Sequence, residues 1–415
     1  MPGTGADPVR RDGRLRREGR LRRDGSPRRG LRGLERWRPG EWGGEATTVT
    51  IVTVLLVLVG LVMSFSASVV DAAEAGDPFG VFWRQARWVA IGLPAYLVAA
   101  NLDHRIWRRI AWPLLGCAIV ALVLVLVPGV GQERFGSTRW LGLGPLTVQP
   151  SELAKLAALL WLADVLERKR PRDGRLHAPS HLIVPGVPLL ALLALLVLLQ
   201  PDLGTTILLG LIVFAVLWVE GLPARYVATS VFAAGVAVAV LAVIADYRMA
   251  RITGWLAPEA DPLGNGYQLL QSRFALGSGG VFGLGLGSSR GKWNFIPNPE
   301  TDFIFAIIGE ELGLIGAVMV LALFTVLLYR GLSIAYAAPD GFGRTVAFAI
   351  TVWLVGQAVV NVGTVTGLLP ITGVTLPLVS VGGSSLLSTL LALGILVSIS
   401  RSVPVADRRR RKAPS

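Results

Sequence analysis

The sequence predicts an all-α polytopic membrane protein with ten transmembrane helices, both termini cytoplasmic, and a large extracytoplasmic loop between helices 7 and 8. Three observations carry this expectation. Of 415 residues, 53% are hydrophobic and 16% charged, too few polar side chains to clothe a water-facing surface. Apolar runs of about 20 residues recur, each long enough to cross about 30 Å of hydrocarbon at about 1.5 Å per residue. Such continuous runs exclude the alternating strands of a β-barrel. Finally, the cations are segregated: 13 of the 40 Lys and Arg fall in residues 1–45, 11 in the expected cytoplasmic loops and six at the C-terminal end, 30 in all. That bias orients a membrane chain with those segments inside.

Residues 1–45 set 13 Arg against seven acids with almost no apolar content, and are expected to form a disordered, basic cytoplasmic tail. They are too charged for a signal peptide, and no small-residue cleavage site follows the first apolar run, so that run is expected to stay as an anchor. The transmembrane domain is expected over 46–402, with spans near 47–69, 83–100, 107–127, 151–167, 181–200, 203–219, 225–246, 303–329, 343–365 and 380–400. Basic loops near 101–109, 166–176, 220–225 and 330–344 alternate with outer connections that carry Arg84, Arg87, Arg134 and Arg139. The outer loop 247–302 far exceeds ordinary connections, and its aromatics, including Trp255, Tyr267 and Phe274, argue for an ordered structure. Tyr267 to Leu276 reads as a short amphipathic helix suited to a membrane surface. A second basic tail is expected over 403–415.

A formal charge of +13 would by itself suit a nucleic-acid binder. Here the cations gather in loops and tails without the interleaved aromatics of a basic binding face, so no nucleic acid is expected. Cys117 is the one cysteine, which excludes a disulfide framework or thiolate metal cluster. His104, His177 and His181 lie in or beside Arg-rich loops, where solvated roles are expected.

Ionisable groups in or at the mouth of a span are costly to bury and mark candidate sites. Glu152 and Lys155 open the fourth span three positions apart, on one helix face. They form either a buried ion pair lining a polar cavity or an ordinary helix start with a snorkelling Lys. Upstream, Arg139-Trp140 is a candidate phosphate or headgroup contact, or an interfacial Trp with a chance Arg beside it. Gln149-Pro150-Ser151 leads into the same span, and Gln200-Pro201-Asp202 makes a tight turn in which Asp202 is expected to cap the sixth.

The large loop ends in Gly277, Gly279, Gly280, Gly283, Gly285 and Gly287, then Arg290 and Lys292. Without βαβ context this is no dinucleotide fingerprint, and Trp293 after Lys292 removes a phosphate-loop reading. A backbone able to approach a ligand closely remains, with Arg273, Arg290 and Lys292 available for a diphosphate. Asp302 opens the eighth span without a capping box, since Phe305 stands three residues on. Glu310 and Glu311 lie deeper, where at least one is expected to face a polar interior, paired or protonated. Residues 367–385, with two Pro and four Gly before Ser384-Ser385, are expected to re-enter the bundle as non-helical chain.

These residues resemble the SEDS family (shape, elongation, division and sporulation) of bacterial cell-wall polymerases. The resemblance spans about 46–402 and rests on three ordered motifs: Arg139-Trp140 with Gln149-Pro150-Ser151-Glu152 and Lys155; Thr301-Asp302-Phe303-Ile304-Phe305-Ala306 with Gly309-Glu310-Glu311-Leu312-Gly313; and Leu376-Pro377 through Gly382-Gly383-Ser384-Ser385. Ile307-Ile308-Gly309-Glu310-Glu311 and the basic extension side with the division-type members over the elongation-type. The resemblance implies a peptidoglycan glycosyltransferase of the bacterial cytoplasmic membrane, placed at the division septum. Its substrate would be lipid II, polymerised with inversion and release of undecaprenyl diphosphate.

Asp302 matches the family's essential aspartate and would be the catalytic base or acceptor-orienting group. Arg139, Trp140, Glu152, Lys155, Arg273, Lys292, Thr301, Ser384 and Ser385 would bind substrate. Gln149, Pro150, Ser151, Glu310, Glu311, Pro377, Gly382 and Gly383 would build the polar cavity. The resemblance further implies a class B penicillin-binding protein and other divisome membrane proteins as partners, and leaves open a divalent cation, Mg or Mn. The chain departs from the family pattern at Glu300, Gly291 and Val381, where His, Gln and Tyr are usual. Two other readings stay open: a flippase for the same lipid, with polar groups continuing to the cytoplasmic side, and a scaffold acting through its tails.

Overall fold

In the computed structural model the described residues are 42–402 apart from 75, 135–136, 145, 171–178, 227, 231–232, 234, 237–245, 290, 292–295 and 298. Nearly all of both expected tails, His177, Arg290, Lys292 and much of the expected span 225–246 lie outside them. The described chain is mostly helical. It runs through α1 (Gly44–Glu74), α2 (Gly80–Asn101), α3 (His104–Leu126), α4 (Pro150–Lys169), α5 (Pro179–Leu198) and α6 (Leu203–Val219). Two shorter helices follow, α7 (Asp246–Leu256) and α8 (Tyr267–Ser278), then α9 (Ile304–Ala337), α10 (Gly341–Thr366) and α11 (Gly383–Arg401).

Six of the described helices, α1, α3, α5, α9, α10 and α11, are long and apolar enough to cross a membrane. The exceptions have physical causes: α6 has 17 residues, α2 carries Arg84, Gln85 and Arg87, and α4 carries Glu152, Lys155 and Asp164. That polarity is possible because α4 packs against α3, α5, α6, α10 and α11, so its ionised groups face protein on almost every side.

Helix starts follow the capping rules. Asp103 accepts from Arg105 N at 2.9 Å before α3, Asp202 from Thr205 N at 3.0 Å before α6, and Asp340 from Gly343 N at 2.6 Å before α10. Pro150 enters α4 in its first turn, where no backbone donor is lost. Gly367 ends α10 in the left-handed conformation, φ 82°. His104 is not solvated as expected: it is 1% exposed, with Nε2 2.9 Å from Asp340 Oδ2 and Nδ1 3.1 Å from Ser402 Oγ. The chain returns to it at two later turns that local sequence does not reveal.

Between α3 and α4 the chain forms an antiparallel sheet of β1 (Gly131–Arg134), β2 (Ser137–Leu143) and β3 (Leu146–Val148). Gln132 pairs with Trp140 and Leu141 with Val148. Hydropathy gave no sign of these short strands.

The glycine-rich end of the large loop is built into the bundle. Helix α9 breaks at Gly313, φ 66° and ψ −163°, and the loop fills the gap. Leu284 N donates to Glu310 O at 2.9 Å, Gly285 N to Glu311 O at 3.0 Å, Leu314 N to Gly280 O at 2.9 Å and Ile315 N to Val281 O at 3.3 Å. The backbone groups freed by the break are thus satisfied by the loop. A Cβ at Gly313 would lie 2.3 Å from Gly283 N and 2.5 Å from Val281 O. Gly313→Val therefore adds a clash to a strained φ, costing about 3 kcal/mol or more, and is expected to lower the unfolding temperature of the detergent-purified protein by several degrees.

Candidate active site

A cavity of about 670 Å³ opens at the sheet end of the bundle, walled by α2, β2, the starts of α4, α6 and α11, Pro297, and residues 300–303 and 371–375. Its framework begins with Lys155. The ammonium is fully buried, 2.9 Å from Glu152 Oε1, 3.3 Å from Gln357 Oε1 and 5.2 Å from the Trp353 ring centroid. Glu152 accepts in turn from Ser388 Oγ at 3.3 Å, so one ion pair ties α4 to α10 and α11. Glu152 and Gln357 reach the cavity wall, whereas Lys155 stands behind it.

On α10, Gln357 and Asn361 lie one turn apart on one face. Gln357 Nε2 donates to Thr375 O at 2.9 Å. Asn361 Nδ2 donates to Val374 O and to Asp302 O, both at 2.8 Å. Residues 370–376 are non-helical, as expected, and these side-chain amides replace a backbone ladder. Ser380 Oγ donates to Thr301 O at 2.6 Å, and Val381 N to Glu300 O at 2.9 Å. From α2, Gln85 meets the same segment at Ser380 O and Gly382 N, both at 3.4 Å.

Asp302 therefore sits on a backbone fixed from both sides. Its side chain lines the cavity and is otherwise enclosed. Gly373, φ 71°, brings the loop so near that a Cβ there would lie 3.5 Å from Asp302 Oδ2. Enclosure pushes the Asp302 carboxyl up to about 6; Arg251 and Arg139 pull it down, and Asp202 and Glu300 push it up. The cavity's cations are Arg84, Arg139 and Arg251. Arg139 is oriented by the α5–α6 turn, donating from Nε to Gln200 O at 2.9 Å and from a terminal nitrogen to Pro201 O at 2.5 Å. Asp202 caps α6 and also lines the cavity.

Of the residues singled out in the sequence, Arg139, Trp140, Gln149, Glu152, Thr301, Asp302, Gly382, Gly383, Ser384 and Ser385 meet at this cavity. Ser384 Oγ also accepts from Gln149 N at 2.8 Å. Arg273 does not join them: it is exposed on α8 beside Gly367, because α8 turns Leu269, Ser272 and Ala275 inward instead. Glu310 and Glu311 are buried away from the cavity and hold the inserted loop. Glu310 accepts from Ser289 Oγ at 2.5 Å and Gly291 N at 3.2 Å, and Glu311 from Ser66 Oγ at 2.6 Å. Pro150, Ser151 and Pro377 are buried in turns and helix starts that support the wall. Lys292 lies outside the described residues. Sequence reasoning missed Gln85, Trp88, Gln268 and Gln357, neutral side chains that a survey of ionisable groups passes over. Among the described residues no three His, Cys, Asp or Glu side chains converge to hold a metal.

A family model described as "Cell cycle protein", built on FtsW, RodA and SpoVE, matches residues 46–404. The chain belongs to this family. Similar FtsW/RodA/SpoVE proteins include the probable peptidoglycan glycosyltransferase FtsW of Mycobacterium tuberculosis, 43% identical over 89% of this chain and 71% of that protein. Stage V sporulation protein E of Bacillus subtilis is 42% identical over 85% of this chain and 96% of its own length. Among solved structures, a chain from a peptidoglycan synthase complex that coordinates polymerization and crosslinking matches with a TM-score of 0.71 at 35% identity, covering 89% of this chain and all of that one. The rod shape determining protein RodA of Thermus thermophilus matches at 0.63 and 31%, covering 88% and 98%.

The buried pair yields a test. Lys155→Met strands a buried carboxylate and is expected to cost about 3–5 kcal/mol. The double variant Lys155→Met/Glu152→Gln removes both charges and is expected to recover part of that loss. Thermal unfolding of both proteins in one detergent decides; a double variant less stable than the single would contradict the pairing.

Proposed function

We propose that this FtsW/RodA/SpoVE-family protein is a peptidoglycan glycosyltransferase that polymerises lipid II during septal wall synthesis. The observation that carries the reading is an enclosed carboxylate, Asp302, held at a cavity whose other walls present Arg84, Arg139 and Arg251. In this scheme the acceptor sugar's 4-hydroxyl oxygen attacks the donor's C1, the C1–oxygen bond to the diphosphate breaks with inversion, and the hydroxyl proton passes to Asp302. A base poised near the working pH suits that transfer. The arginines stabilise negative charge as it develops on the departing undecaprenyl diphosphate.

A flippase of the same lipid needs a polar route to the opposite end. Below Glu152 and Gln357, however, Leu156, Leu159 and Leu160 of α4 are fully buried among other side chains, which favours the enzyme. Ten spans with both termini cytoplasmic are proposed with it, as are a cytoplasmic basic tail over 1–45 and a second over 403–415. The cavity then faces outward, where lipid II is consumed. A class B penicillin-binding protein is the proposed partner, consistent with the synthase complex among the similar structures.

Reconstituted protein with that partner and labelled lipid II should make glycan ladders, and Asp302→Asn should abolish them, a loss of at least about 100-fold. Because its carboxyl is raised, Asp302 is a base only above about pH 6. The polymerisation rate is thus expected to rise with pH on a limb centred near 6, not near 4. The ionised carboxylate also opposes folding above that pH, so Asp302→Asn should unfold no earlier than the parent protein at pH 7.5, which separates lost chemistry from lost fold. Ladders undiminished in the variant would overturn the assignment. For topology, Leu263→Cys in a Cys117→Ser background is expected to react with an impermeant thiol reagent from the outer face of intact spheroplasts.

A further inference from the structure

A second cavity, of about 490 Å³, lies at the opposite end of the bundle, lined by Arg105, Arg108, Arg109, Arg168, Asp340 and Phe342. Helix α4, 20 residues long, spans the roughly 30 Å between the two. Residues 105, 108 and 109 share one face of α3. Buried Asp164 accepts from Arg108 Nε at 2.6 Å and from Arg168 Nε at 2.7 Å, with Trp112 Nε1 at 3.3 Å. Both guanidiniums are gripped through Nε, which leaves their terminal nitrogens for another anion. Asp340 is engaged by His104 at 2.9 Å and Arg105 at 3.5 Å. Four arginines thus line the cavity against Asp340, Asp164 and the neighbouring Glu167, which is coupled to Arg108 and Asp340, leaving positive charge in excess beside an aromatic ring. Orientation bias would scatter cations through loops; it does not require a buried carboxylate to fix two of them at a cavity wall.

We propose that this cavity binds the phosphate headgroup of an anionic membrane phospholipid, most tightly one that carries two phosphates. Basic recesses between transmembrane helices bind such headgroups by charge-assisted hydrogen bonds. The apolar surface needed for acyl chains is continuous with the site: Ile106, Ile110 and Trp112 of α3 are 37%, 37% and 54% exposed. The site is independent of the reaction in the large cavity.

The test is native mass spectrometry of the full-length protein in detergent, titrated separately with cardiolipin, phosphatidylglycerol, phosphatidylethanolamine and soluble inorganic phosphate. Cardiolipin is expected to be retained at the lowest concentration and phosphatidylethanolamine least. Arg105→Gln/Arg109→Gln spares the Asp164 clamp and is expected to weaken cardiolipin binding about 10-fold or more. Arg225→Gln/Arg330→Gln, which removes equal charge elsewhere, should leave it within about 2-fold. Equal retention of phosphatidylethanolamine would overturn the proposal, as would equal losses in the two double variants. Competition by millimolar inorganic phosphate as effective as by cardiolipin would replace the lipid with a free phosphate as the ligand.

Discussion

Everything at the sheet end of this protein depends on hiding one ammonium. Lys155 is fully buried, and an unpaired charge in that position would cost several kcal/mol. Its partners cannot all come from its own helix, so α4 has to be surrounded. Glu152 supplies the countercharge, Gln357 of α10 a carbonyl and Trp353 an aromatic face. The helix that carries the charge is consequently buried along most of its length, and its neighbours are positioned by what the charge requires.

From Gln357 the constraint passes outward. Its amide nitrogen holds Thr375 O, and Asn361, one turn along the same helix, holds Val374 O and Asp302 O. A carboxylate that is to act on a substrate has to be placed within a fraction of an ångström. Here placement is achieved through the backbone: the side chain of Asp302 stays open to the cavity while its carbonyl is fixed. The same amides satisfy non-helical chain that lipid could not accommodate. Structural support and active-site geometry are one set of hydrogen bonds.

Much of this was legible in the sequence, for identifiable reasons. Apolar runs disclose helices because burial and helical length act on consecutive residues. Glu152 and Lys155 disclosed their pairing because three residues nearly complete a turn. What stayed hidden depends on distant chain. Strands β1 to β3 are too short for a hydropathy period. His104 looked solvated because Asp340 and Ser402 are more than 230 residues away. Arg273 looked like a diphosphate ligand because charge was visible and helix orientation was not. Gln357 and Asn361 carry no charge, yet inside an apolar helix their amides are as conspicuous as an ion; polarity, not ionisability, was the better signal.

The insertion of residues 280–285 into the break of α9 divides the large loop into two parts with different tolerance to change. Leu263, at the turn between α7 and α8, is 88% exposed, and an epitope or fluorescent fusion placed there displaces only water. Residues 280–285, by contrast, complete the backbone hydrogen bonding of α9 across its break. A tag placed within them separates the carbonyls of Glu310 and Glu311 from their donors, eight and nine residues beyond Asp302. For anyone labelling this family, the loop's length is a poor guide to its spare capacity.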